Sequence, residues 1–401
     1  VKLLASPYGR LLMPVYVPTL LNSTSQMALL ILLPLYVLDA GYNPAFAATI
    51  VGLRGVGILL FDIPAGVLVA RFGEKAILLT GLALILVGNL SLAAAAHPWL
   101  LMLAAVLLGA GISAWMIGRQ SYIVDTCEPE EVGRAIAVMA GLQRAGMFLG
   151  PAAGGLLAAQ VGYPVTFIAG AGVALAAGLL VLSFTKNVWP TDTAAEAGFR
   201  GALEVLRSHG KVFATAGVAS FSLQLMRAAR ELLVPLFGAA VGLDVAAIGI
   251  IYSLSSGLDM SLFYPVGVWI DRYGRKWSAV SSTLVFSIAL AVLPLVVGYY
   301  SLLAVGLLLG LANGLGTGIV MVMGADLSRD TLHRGQFLGV WRLIGDVGVS
   351  VAPLLTGALT GLASLAAASL CVAGFGFVGT AMMMSLVPET LRRGNAKSQR
   401  A

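Results

Sequence analysis

Apolar residues in this chain come in long continuous runs separated by short polar joins. A helix crossing a bilayer takes roughly 20 such residues. Twelve spans are predicted near 12–38, 44–70, 76–96, 99–124, 135–159, 164–185, 211–240, 246–270, 277–298, 300–325, 336–362 and 364–387. Runs that are continuous rather than alternating exclude a transmembrane β-barrel. The longest polar interval, 186–210, mixes Thr, Asp, Glu, Arg and His209 and reads as a cytoplasmic linker with an amphipathic helix around Ala197–Arg207. The chain then divides into a six-helix bundle at 1–185, the linker, and a second bundle with a short cytoplasmic tail at 211–401.

The second bundle repeats the first. Gly267-Val-Trp-Ile-Asp271-Arg272-Tyr-Gly274-Arg275-Lys276 joins spans 8 and 9, and Gly66-Val-Leu-Val-Ala70-Arg71-Phe-Gly73-Glu74-Lys75 joins spans 2 and 3, 201 positions earlier. The same shift relates Pro34 to Pro235, Gly41 to Gly242 and Pro64 to Pro265. A shift of 202 relates Gly146 to Gly348, Pro151 to Pro353 and Gly155 to Gly357. Two parallel six-helix repeats follow. Glycines at 267 and 274 are expected to let two helix ends approach closely and the chain reverse sharply.

Composition agrees with a membrane protein: 59% of residues are apolar and 10% charged, and the mean hydropathy is +0.95. The net charge of +6 does not point to nucleic acid, because eighteen of the 24 Lys and Arg lie at the chain ends or around the joins after spans 2, 4, 6, 8 and 10. This asymmetry places both termini in the cytoplasm of a bacterial-type inner membrane. No cleavable signal peptide is expected at residues 1–10. Cys127 and Cys371 read as free thiols. The histidines at 97, 209 and 333 lack metal-ligand spacing, no phosphate-cradling loop precedes a Lys-Ser/Thr pair, and no catalytic constellation stands out. No enzyme, metal or cofactor is expected.

The turn Gly66, Arg71, Gly73 and its copy Gly267, Asp271, Arg272, Gly274, Arg275 resemble the signature turns of the major facilitator superfamily. Gly146, Gly150, Pro151, Gly154 and Gly155 on span 5 resemble that family's antiporter motif, found in its twelve-helix drug:proton exporters; a helix-packing surface of small residues is the competing reading. The resemblance implies an all-α protein of twelve transmembrane helices in two pseudo-twofold-related bundles. It also implies alternating access, a monomer, and halves that meet along spans 2 with 11 and 5 with 8. The chain departs from the family at Ala70, where an acid is expected, and at Ala105, where the exporters carry an arginine four residues before the span-4 glycine.

Ionisable residues inside a bilayer are costly and face a polar interior. Arg54, Arg119, Arg144, Arg227, Arg230, Arg342, Asp62, Glu231, Asp259 and Asp346 fall on spans 2, 4, 5, 7, 8 and 11. Spans 3, 6, 9 and 12 carry no charge within their bounds and are expected to face lipid. At about 1.5 Å per residue, Asp62 and Arg342 lie roughly 12 and 10 Å from the cytoplasmic ends of their spans, and Asp259 and Arg144 roughly 18 and 14 Å. With the family's interfaces, these depths suggest two inter-half gates, Asp62–Arg342 and Asp259–Arg144. Local i,i+4 pairing of Arg342 with Asp346 and of Arg227 with Glu231 is the alternative. Asp62, Asp259, Glu231 and Asp346 are the proton-coupling candidates. Gln26, Arg54, Arg119, Arg144, Gln224, Arg227, Arg230, Tyr252 and Asn313 are the candidates for lining a substrate cavity. The reading is proton-coupled export of a small amphipathic compound. The arginine excess keeps an organic anion or lipid-like substrate open, and a membrane sensor without flux is the reading from another class.

Overall fold

The computed structural model describes residues 7–95, 97–185, 199–329, 331 and 334–390. Among them, twelve long helices follow one another: α1 (Gly9–Asp39), α2 (Pro44–Phe72), α3 (Glu74–Ala93), α4 (Pro98–Thr126), α5 (Pro129–Val161), α6 (Tyr163–Phe184), α7 (Gly210–Ala240), α8 (Val245–Tyr273), α9 (Arg275–Leu295), α10 (Tyr299–Leu327), α11 (Arg334–Leu362) and α12 (Leu365–Leu386). Eleven are long and apolar enough to cross a membrane by composition. The exception is α5, whose 33 residues include Gln143 and Arg144 and whose neighbours are α1 and α8. A short helix, Phe199–Ser208, precedes α7; the rest of the expected linker, 186–198, lies outside the described residues.

Local structure repeats as the sequence does. Asn43 caps α2 by accepting from Phe46 N at 2.8 Å, and Asp244 caps α8 by accepting from Ala247 N at 2.7 Å. The first turns of α1 and α7 contain matching five-residue π segments, Leu12–Tyr16 and Phe213–Gly217. In each half the same helices pack together: α1 on α5, α2 on α4, and α3 on α4 and α6; then α7 on α11, α8 on α10, and α9 on α10 and α12.

The halves meet along α5–α8, α2–α11 and α1–α7. Where α1 and α7 cross they exchange side chains. Leu30, Ile31 and Leu35 join the core of the second half, and Leu232 and Leu236 that of the first. Helices α3, α6, α9 and α12 lie outside these seams, with large apolar side chains turned outward: Leu175, Leu179 and Leu182 on α6, and Leu370, Phe375 and Val378 on α12. In a bilayer these side chains meet acyl chains rather than water.

The seams are closed at one end of the bundle only. Gly155 of α5 abuts Val245 and Gly249 of α8, so closely that a Cβ on Gly249 would overlap the Pro151 carbonyl. Gly357 of α11 likewise sits on Ala45 and Ala48 of α2. All these contacts lie far from the basic turns. Towards the basic end α2 and α11 separate, leaving Leu60 at 67% and Leu343 at 56% exposure.

Two expectations are corrected. Gly267 does not bring helix ends together: it sits within α8 with no heavy atom near its Cβ direction, and Gly274, at φ 112°, alone reverses that turn. Span 10 is not continuous, because Gly316–Gly318 unwinds it and Gly318 takes φ 72°, a conformation glycine adopts without Cβ strain.

Overpacking the α5–α8 crossing should unseat the closed end. Gly249→Leu is expected to cost the state closed there about 1–3 kcal/mol. The reactivity of a cysteine introduced at Val245 towards an impermeant thiol reagent should rise, and unchanged reactivity would contradict the role assigned to this contact.

Candidate functional site

A cavity of about 450 Å³ lies between the halves, walled by α5, α7, α8, α10 and α11. Helical spacing brings Gln224, Arg227 and Glu231 of α7 onto one stripe at intervals of three and four. Arg230 follows on the adjoining stripe, α5 adds Gln143 and Arg144, α8 adds Tyr252 and Asp259, and α10 adds Asn313 and Thr317.

Asp259 is the most heavily engaged group. It is 3% exposed and accepts hydrogen bonds from Asn313 Nδ2 at 2.8 Å and Thr317 Oγ1 at 3.3 Å, both on α10. Across the inter-half seam, Arg144 Nη1 stands 3.8 Å from its Oδ2, and the same guanidinium lies over the Phe263 ring at 4.4 Å. A carboxylate removed from water needs such donors to remain charged.

The arginines of α7 are held differently. Arg227 donates to Gln224 Oε1 at 2.9 Å and to the Gly316 carbonyl at 2.7 Å. That carbonyl also accepts from Ile319 N at 3.3 Å across the unwound turn, and irregular backbone inside a membrane is tolerated where it faces a cavity. Arg230 donates to Ser255 Oγ at 2.8 Å and lies over the Tyr252 ring at 4.9 Å. Among the described residues neither has a carboxylate within 4.0 Å, so the expected Arg227–Glu231 pair is not formed. Glu231 instead sits in the field of Arg54 and Arg230.

Six of the expected cavity, proton-coupling and gate residues lie outside the cavity wall: Gln26, Arg54, Asp62, Arg119, Arg342 and Asp346. Arg54 meets Gln26 Oε1 at 3.4 Å, and Arg119 bonds Gln143 Oε1 at 2.7 Å from behind the wall. Asp62 accepts from Ser113 Oγ at 2.5 Å on α4. The Asp62–Arg342 gate is therefore not formed. Arg342 turns to Asp346 at 3.5 Å with 64% of its side chain exposed. The span-5 motif is a packing surface: Gly146, Gly150 and Gly154 seat α1, Gly155 seats α8, and Ala152 N donates to Ser253 Oγ at 2.9 Å.

The second turn motif forms a network: Arg275 reaches Asp326 at 3.1 Å and Asp271 at 3.6 Å, and Glu389 accepts from the N–H groups of Arg275 and Lys276. Arg272 lies over Tyr273 and, in the first copy, Arg71 over Phe72. His209 packs edge-on against Phe337, and His333 lies outside the described residues.

Sequence reasoning missed Ser113, Gln143, Ser255 and Thr317. Gln143 was detectable as a polar residue beside an intramembrane arginine. Thr317 was detectable from the Gly314, Gly316, Gly318 series around it. Ser113 and Ser255 carried no signal, since serine is common on packed membrane helices.

The Major Facilitator Superfamily model matches residues 15–258 and 216–401. The chain is 23% identical over 310 residues to the multidrug resistance protein MdtH of Klebsiella pneumoniae (strain 342), covering 77% of this chain and 76% of that one. It is 24% identical over 316 residues to MdtH of Yersinia pestis (strain Pestoides F), covering 74% of each. Among solved structures, it is similar to a bacterial homolog of the human lysosomal transporter Spinster in an inward-facing, unoccupied conformation, with a TM-score of 0.78, 13% identity and coverage of 94% and 96%. It is also similar to the nucleoside transporter NupG, with a TM-score of 0.76, 14% identity and coverage of 94% and 100%. At these identities the likenesses to solved structures speak to fold alone.

Removing the hub of the cavity should be felt in stability. Asp259→Ala strands Arg144, Asn313 and Thr317 and is expected to cost about 2 kcal/mol. Asp259→Asn, which keeps the α10 contacts, should cost less. Thermal unfolding of the two variants in detergent checks the order, and equal losses would contradict it.

Proposed function

Because the chain belongs to the major facilitator superfamily, we propose that it exports a small amphipathic organic compound in exchange for protons, by alternating exposure of the cavity between its halves. It is a multi-pass membrane transporter and not an enzyme. By the distribution of Lys and Arg, the basic end faces the cytoplasm of a bacterial inner membrane, so the arrangement described is open inward. The segments 1–185 and 211–401 move as two bodies of one monomer, joined by 186–210. The relatives named as multidrug resistance proteins support the export direction.

The observation that carries this reading is the Asp259–Arg144 contact across the α5–α8 seam. Charged, Asp259 ties α8 to α5. A proton on Asp259 removes the charge that holds Arg144, leaving the seam free to rearrange. Proton occupancy is thereby linked to the relative position of the halves, as an exchanger requires. Glu231, near Arg54 and Arg230, is the second protonatable group on the cavity. Asp62 and Asp346 are the further proton-coupling candidates, and Asp62 meets Arg342 in the basic-end gate when that end closes.

A second reading, transport of an organic anion or lipid-like compound, is favoured by one observation. Arg144, Arg227 and Arg230 line the cavity against two acids, Glu231 and Asp259, and among the described residues Arg227 Nε has no hydrogen-bond partner. Guanidinium groups offer paired donors to carboxylate or phosphate oxygens.

Purified protein in liposomes, given a compound panel under an imposed pH gradient, tests both. Export predicts substrate-dependent proton movement that Asp259→Asn abolishes while substrate exchange persists. Proton coupling unchanged in Asp259→Asn would overturn the role of Asp259, and binding without flux would make the protein a sensor. If anions are carried, Arg227→Ala should weaken their transport at least about tenfold, the loss of one charge-assisted contact, and leave neutral compounds unchanged.

A further inference from the structure

The repeats part company at one join near the basic end. At the shift of 201, Glu74 occupies the place of Arg275, and Asp125 that of Asp326. In the second half the two residues have opposite charge, and Arg275 Nε lies 3.1 Å from Asp326 Oδ2. In the first half both are carboxyls, Glu74 at the start of α3 and Asp125 at the end of α4, and one hydroxyl, that of Ser121, lies against both. Glu74 is only 1% exposed, and its Oε2 is buried without a hydrogen-bond partner.

Ser121, one turn before Asp125, lies 3.4 Å from Glu74 Oε1 and 3.4 Å from Asp125 Oδ2. A hydroxyl has one proton to give, so it serves only one of these acceptors at a time. The charged groups on the surrounding elements turn elsewhere. Lys75 of α3 donates to the Leu182 carbonyl of α6 at 2.7 Å, Arg71 of α2 stacks over Phe72, and Arg119 of α4 bonds Gln143. Tyr122 of α4 is uncharged, and α6 carries no Lys, Arg, Asp or Glu. Among the described residues no Lys, Arg or His lies within 4.0 Å of either carboxyl.

Two carboxyls served by one hydroxyl, one of them out of water and without a cation, disfavour each other's ionisation. We propose that Glu74 and Asp125 together bind a single proton, a protonation site separate from the cavity and independent of the substrate reading. The proton sits between a carboxyl and a carboxylate and holds the start of α3 to the end of α4. As pH on the basic side rises, the proton leaves, the two charges repel and the join loosens. The matching join of the other repeat pairs opposite charges, Arg275 with Asp326. One half is thus fastened permanently at this level and the other only while the proton is present.

Infrared difference spectroscopy on the full chain in lipid, titrated from acid to alkaline pH, tests the assignment. The expected result is a carboxylic C=O band that titrates away in the wild type and is missing in Glu74→Gln. In Asp125→Asn the band of Glu74 should titrate about one pH unit or more lower, because the like charge is gone. Spin labels at Thr80 and Val124, both exposed positions on α3 and α4, should move apart on alkaline titration. They should stay at fixed distance in Glu74→Arg, which copies the ion pair of the other repeat. A band that titrates identically in the wild type and Asp125→Asn overturns the proposal. So does a label distance that is constant with pH in the wild type, and should Glu74→Gln fail to fold, these two measurements still decide it.

Discussion

A charge inside a bilayer must find a partner, and at the centre of this molecule the partner lies in the other half. Asp259 is 3% exposed, fixed on one side by Asn313 and Thr317 of its own half and facing Arg144 across the seam. The two α10 bonds hold the carboxylate in place whatever the halves do. Only the longer contact to Arg144, at 3.8 Å, depends on their relative position. The arrangement separates a permanent support from a breakable link, which suits a group whose charge reports on conformation.

The same economy governs the seam itself. At the end remote from the basic turns, α5 and α8 approach until Gly155 and Gly249 touch, and Ser253 takes the Ala152 N–H. Small residues permit this approach in a solvent that offers no hydrophobic drive between helices. The contact is one of backbone against backbone. Arg342 pairs with its own neighbour, Asp346.

Duplication accounts for the scaffold, and departures from it account for much of the chemistry. Caps, π segments, prolines and helix pairings recur between the halves. The charged residues mostly do not. Arg227 and Arg230 answer to Gln26 and Leu29 at the shift of 201, and Asp259 to Ile58. The cavity therefore draws most of its charge from the second half, and the first supplies Arg144. At the basic end the asymmetry is one of sign, with Glu74 in the place of Arg275.

The linear sequence determined the number and approximate bounds of the spans and the repeat. It also determined which spans carry charge, because burial in lipid leaves an apolar run too long to mistake. It reached as far as the depth of Asp259 and Arg144, since rise along a helix is a fixed 1.5 Å per residue. Only the tertiary structure decided which charges meet. Arg54 faces Gln26, Arg119 faces Gln143, and Arg227 faces a backbone carbonyl in the unwound stretch Gly316–Gly318. Partner choice depends on how each helix is rotated about its axis and how far the halves have opened. Neither quantity is written in a one-dimensional pattern, because many rotations bury the same apolar face in a solvent as uniform as lipid.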